Sequence, residues 1–105
     1  MDTIILTAWK GGGYGLKISL RDRDRYLRRS DGTVIIELPD GDSWIEVPCN
    51  IDKNAFWTGN CREMISKEIG KWMQKNLYAP WEKYKPPKFR AAVLDNKRFR
   101  VLRRL

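Results

Sequence analysis

Residues 33–47 constrain the fold more than any other part of the chain. Val34, Ile36 and Leu38 recur at every second position, which sets one apolar face of a strand against a core. Pro39-Asp40-Gly41-Asp42 is a tight connection of the hairpin type. Residues 43–47 answer with Ile45 and Val47 inward and Trp44 and Glu46 outward. This antiparallel pair commits the chain to a β-rich architecture.

The flanking segments extend the pattern. Residues 3–9 are apolar and β-rich, Lys10-Gly11-Gly12-Gly13 is a flexible connection, and residues 14–20 alternate with Leu16, Ile18 and Leu20 on one side. Residues 21–29 hold few apolar side chains, chiefly Tyr26 and Leu27, and predict one short surface helix capped by Ser19 or Asp22. No period holds from 48 to 59, which reads as a loop with room for a very short strand. Asn60 and Glu63 have the spacing of a capping box. They open one long helix over about residues 61–77, with Ile65, Ile69, Trp72, Met73 and Leu77 on its buried stripe. Pro80 and Pro86-Pro87 bracket a rigid connection. Residues 88–94 and 98–103 form a closing hairpin across Asp95-Asn96-Lys97, with Phe89, Ala91, Val93, Phe99 and Val101 inside and Lys88, Arg90, Arg98 and Arg100 outside. The fold class that follows is mainly β with α. A single domain over residues 1–105 forms a small open pseudobarrel of six to seven short strands, plugged at one end by the long helix.

Charge decides which functions such a chain can serve. Lys and Arg number 21 against 13 Asp and Glu, for a formal net charge of +8, and there is no His. Five Trp, four Tyr and three Phe are threaded among those charges. A surface of this kind attracts polyanions. Without His, a Ser or Cys nucleophile lacks its commonest base, so the expectation is a protein that is not an enzyme. Cys49 and Cys61 fit neither a C-x-x-C motif nor a zinc cluster, so no metal or other cofactor is expected. The two cysteines could close a loop of about a dozen residues, but a reducing compartment favours free thiols. Asp40 and Glu46 have part of the spacing of a nuclease metal site, yet the Lys that should follow is Pro48. The triglycine precedes a strand, where a phosphate-binding P-loop would precede a helix. No apolar run approaches the ~20 residues of a membrane span and no basic leader opens the chain, so an intracellular protein (cytoplasm or nucleoid) that avoids membranes is expected.

The candidate partner is nucleic acid. Flexible glycines beside Trp9, Lys10, Tyr14 and Lys17 allow close approach to a phosphodiester chain, and Lys10, Lys17, Arg21 and Arg23 are assigned to phosphates. In the 50–60 loop, Asn50, Lys53 and Asn54 can hydrogen-bond base edges or phosphates beside Phe56 and Trp57. For Phe56 or Trp57 the competing role is to pin the loop to the core. Further cations cluster at Lys83, Lys85, Lys88 and Arg90 and again from Lys97 to Arg104. From 81 to 105 the only acids are Glu82 and Asp95.

The order of these elements resembles a B3-type DNA-binding pseudobarrel, the domain of plant B3 transcription factors and of some restriction-endonuclease recognition domains. The resemblance rests on Asp40-Gly41-Asp42-Ser43-Trp44 in the hairpin, Gly70-Lys71-Trp72-Met73 and Asn76-Leu77 in the helix, and Phe89 with Arg98-Phe99-Arg100-Val101 at the end. It implies duplex DNA as ligand, gripped through the major groove by two arms, residues 9–21 and 50–60. It also implies a strand between the second arm and the helix, which the residues here hardly display. An RNA or single-strand binder that stacks bases on Trp9, Tyr14 and Trp57 is the alternative. A basic module docking an acidic protein is another.

Overall fold

Alternation governs β1 (Thr3–Lys10), where Ile4, Leu6 and Ala8 are buried while Thr3 and Ile5 are exposed. The computed structural model describes residues 1–95 and 97–105 of the chain. β1 pairs antiparallel with β2 (Tyr14–Lys17) on one side and with β6 (Lys88–Asp95) on the other. β6 returns as β7 (Arg98–Arg104), whose other neighbour is β3 (Thr33–Asp40), running parallel. β4 (Ser43–Asn50) closes the hairpin with β3, and β5 (Glu63–Ile65) lies beside β2. The seven-stranded order β4-β3-β7-β6-β1-β2-β5 curls until its two edges approach one another, a nearly closed barrel-like sheet. Leu6, Leu16, Ile36, Leu38, Phe89 and Phe99 fill its interior. The mainly β, pseudobarrel character read from the sequence is the one observed. Asn96, which the sequence reading puts in the connection of the closing hairpin, lies outside the described residues.

Both expected helices need correction. The long helix is α3 (Lys67–Lys75), not 61–77. Residues 63–65 extend instead, because Met64 is drawn into the core opposite Leu16 and a strand can bury it there. Asn60 and Glu63 therefore cap nothing; the cap is Ser66, whose hydroxyl accepts from Glu68 N–H at 3.2 Å. At the other end Leu77 adopts a left-handed backbone, φ 61°. Its N–H donates to Gln74 and that of Tyr78 to Met73, the paired bonds of a Schellman turn that stops a helix. Leu77 is consequently exposed, off the stripe predicted for it, and Ile65 is exposed on β5. Ile69, Trp72 and Met73 do face the core, and Trp72 meets Tyr78 and Phe89 at ring separations of 5.2 and 5.3 Å. The Trp72 indole donates to Pro39 O at 2.8 Å, fastening α3 to the β3–β4 turn.

The short helix is α1 (Leu20–Tyr26), not 21–29, and Ser19 is its cap. Leu27 is pulled into the core in extended form and ends it; a 3-10 turn follows at Arg29–Asp31. Since Ser19 caps this helix, β2 stops at Lys17 and Leu20 is exposed instead of continuing the inner row. The expected 48–59 loop contains the end of β4 and a helix of its own, α2 (Asn54–Thr58). Pro48 is tolerated in β4 because that strand is an edge.

Two outcomes test this packing. A Cβ at Gly15 would lie 2.7 Å from Met64 O, so Gly15→Ala must force β5 away from β2. Urea unfolding should show a loss of about 1–3 kcal/mol, and unchanged stability would mean that the β2–β5 seam is loose. Cys61 is exposed, whereas Cys49 is buried and its thiol is pushed up to about 12 by desolvation, against a lowering by Lys53. Alkylation at pH 8 should mark Cys61 alone in the folded protein and both cysteines in urea, read by peptide mass.

Candidate functional site

Strand register gathers cations that the sequence scatters. Lys17 on β2 stands opposite Thr7, which on its other side stands opposite Lys88 of β6. Two residues along, Ile5 stands opposite Arg90, and Arg90 opposite Arg103 of β7. Residues paired in this way share a face, here the outer one, so two adjoining rows of three strands each together span β2, β1, β6 and β7, about 14 Å. A bulge completes the second row. Arg90 faces Arg103 while Ala91 faces Val101, which leaves Leu102 unmatched. Two arginines directly opposite destabilise a sheet, so the fold keeps this pair against its own stability.

Beside this row a groove of about 510 Å³ opens between β1 and residues 17–22, lined among others by Thr3, Thr7, Lys17, Arg21, Arg62 and Arg90. Arg62 is held in place, its Nε donating to Ile18 O at 3.1 Å. Asp22 is the one acid on the wall. Among the described residues, none of these four cations forms an ion pair. The other half of the outer face is electrically quiet. Arg98 and Arg100 donate to the buried Glu37 at 2.7 and 2.6 Å, Arg98 also meets Glu46 at 3.0 Å, and Arg100 lies 4.5 Å over the Trp44 ring.

Of the residues assigned to phosphates, Lys17 and Arg21 line the groove. Arg23 requires a correction. Only 6% exposed, it donates to Phe56 O at 2.6 Å, to Trp57 O at 3.2 Å and to Asp24 at 2.9 Å, clamping α1 to α2. Trp9, Lys10 and Tyr14 sit at the far end of the β1–β2 hairpin, where Lys10 Nζ lies 5.7 Å from the Tyr14 ring.

Side chains of the 50–60 segment bond to the protein itself. Asn50 accepts from Asp52 N–H at 3.0 Å, Lys53 donates to Glu63 O at 3.4 Å, Asn54 accepts from Arg29 at 3.4 Å, and the Trp57 indole donates to Ile51 O at 2.8 Å. Phe56 is buried, the pinning role foreseen for an aromatic there. This segment leads into Glu63, opposite Lys17, whereas the glycine tip follows Lys10 and Tyr14 at the other end of the same ribbon. Of the two segments expected to act as paired arms, the glycine tip of the first therefore lies at the opposite end of the barrel wall from the 50–60 segment, whereas residues 17–21 of the same arm lie at its end.

Sequence reasoning missed Arg62 altogether, and it grouped Arg90 with neighbours in the chain instead of with Lys17 and Arg21. Their link is the β1–β6 register, which no local pattern encodes. Among the described residues no three His, Cys, Asp or Glu side chains cluster as metal ligands, and no helix is long and apolar enough to cross a membrane. In comparisons with protein-family models, curated proteins and solved structures, none matches this chain.

The Glu37 cluster sets a pH dependence. Burial raises the Glu37 carboxyl, but the hydrogen bonds from Arg98 and Arg100 outweigh it and hold the group below its ordinary range. The ionised group thus adds stability above the unfolded value of about 4.3 and loses it as pH falls through the folded value. Glu37→Gln should lower stability at pH 7 and flatten the decline below about pH 4.3, measured by urea midpoints; parallel curves for both proteins would refute it.

Proposed function

We propose that this chain is a nucleic-acid-binding domain, without catalytic activity, that holds a phosphodiester backbone across the outer face of β2, β1, β6 and β7. The observation that carries the reading is the convergence of Lys17, Arg21, Arg62 and Arg90 on one groove without ion-pair partners among the described residues. Cations already satisfied by carboxylates contribute solubility; cations left unsatisfied side by side supply counterion release when a polyanion arrives. Thr3, Thr7 and Ser19 add hydroxyl donors to the same wall. A small metabolite would not need the row to continue through Lys88 to Arg103.

The resemblance to B3 domains implies duplex DNA, and the short strand β5 between the 50–60 segment and α3 supports that order of elements. Phosphate contacts alone carry no sequence information, and the groove walls hold no Asn or Gln. Backbone recognition is therefore the primary activity proposed.

Binding of a short labelled oligonucleotide should weaken linearly on a log–log salt plot, by roughly 0.7 to 0.9 log unit per phosphate contact. Arg62→Ala combined with Arg90→Ala should lower affinity and reduce that slope by about two contacts' worth. If the double variant binds as the parent does while Lys53→Ala and Asn54→Ala abolish binding, the interface lies on the 50–60 segment and this assignment is wrong.

A further inference from the structure

A second cavity, about 560 Å³, lies between the glycine tip and α3, lined by Trp9, Gly13, Tyr14, Ile65, Lys67 and Gln74 among others. Two glycines shape it. A Cβ on Gly11 would come within 2.5 Å of two Trp9 ring carbons, so only Gly11 lets the indole lie down on the tip. A Cβ on Gly70 would come within 3.1 Å of the Tyr14 ring, so Gly70 lets that ring press onto α3, where it also meets Trp81 edge-on at 6.0 Å. The result is a slot with aromatic walls.

Charge lies at the rim. Lys67 has no ion-pair partner among the described residues, and Lys71 meets only Glu68, at 3.6 Å between exposed groups. The Gln74 amide offers a donor and an acceptor. An occupant that suits all three features is flat, partly apolar, edged with hydrogen-bonding groups and attached to a negative charge. A nucleotide answers that description.

The cavity shares no lining residue with the cationic groove, but β1 leads from one to the other. On the outer face of β1 the row runs Thr3, Ile5, Thr7, Trp9, so Trp9 stands one outward step, about 7 Å, beyond the groove residue Thr7. We infer that this slot seats one unpaired base of the nucleic acid whose backbone crosses the groove, with Trp9 as the stacking surface. The inference rests on the proposed function and adds to it a ligand class: a single strand, or a duplex carrying an unpaired nucleotide. A base locked in a blunt duplex cannot enter.

The test is fluorescence anisotropy with three labelled probes: a 12-nucleotide single strand, the blunt duplex of the same sequence, and the single strand with abasic positions. Trp9→Ala should weaken the single strand about ten-fold more than it weakens the duplex, and the abasic strand should not show that difference. Should Trp9→Ala unfold, Gly13→Leu decides, because Gly13 has an ordinary backbone conformation and a Cβ there meets nothing closer than Ile65 Cγ2 at 4.0 Å. Its side chain would fill the slot and produce the same selective loss. Equal weakening of single strand and duplex by these variants, or none, overturns the base slot while leaving backbone binding intact. Failure of the parent protein to bind any of the three probes overturns the proposed function itself.

Discussion

Seven strands become one sheet because β3 and β7 pair in parallel. Among the described residues, Ile35–Arg98, Ile36–Phe99 and Glu37–Arg100 make up that seam, yet it joins the β3–β4 hairpin to everything else. A parallel pair needs burial on both sides to persist, and here each side supplies it differently. Inside, Ile36 and Phe99 are fully buried; outside, Glu37 lies under two guanidinium groups. The seam thus consumes both of the arginines nearest to it. What remains cationic on the outer face is the part farther from the seam, so the electrical asymmetry of the protein follows from how its sheet is joined.

Local chemistry made much of this architecture legible beforehand. The β3–β4 hairpin is where alternation placed it, with Val34, Ile36, Leu38 and Val47 buried, and the β6–β7 hairpin buries Phe89, Ala91, Phe99 and Val101 as read. The errors have a common origin. Helical spacing assigns apolar residues such as Ile65 and Leu77 to the helix, whereas Met64 belongs to a strand and the chain turns left-handed at Leu77. Likewise α2 escaped notice because a helix of one turn has no period to display.

The candidate interface was legible only in its chemistry. Excess positive charge is a property of composition and was plain. Which cations stand together depends on pairings between residues as remote as Ile5 and Arg90, and on a bulge at Leu102 that brings Arg103 level with Arg90. The asparagines of the 50–60 segment show the opposite hazard. Their side chains suit base edges, but the same oxygens suit a turn N–H, as at Asn50, or a guanidinium brought close by the fold, as at Asn54.

Arg21 and Arg23 sit two residues apart on one brief helix, the first lining the groove and the second locked to the carbonyls of Phe56 and Trp57. That wall of the groove cannot swing without tearing a buried guanidinium from its acceptors, so it is stiff. The opposite end of the same ribbon closes on three consecutive glycines, and a Cβ on Gly12 would meet nothing within 4 Å. A long ligand would therefore lie between an anvil and a spring, and adjustment to its contour falls to the glycine end.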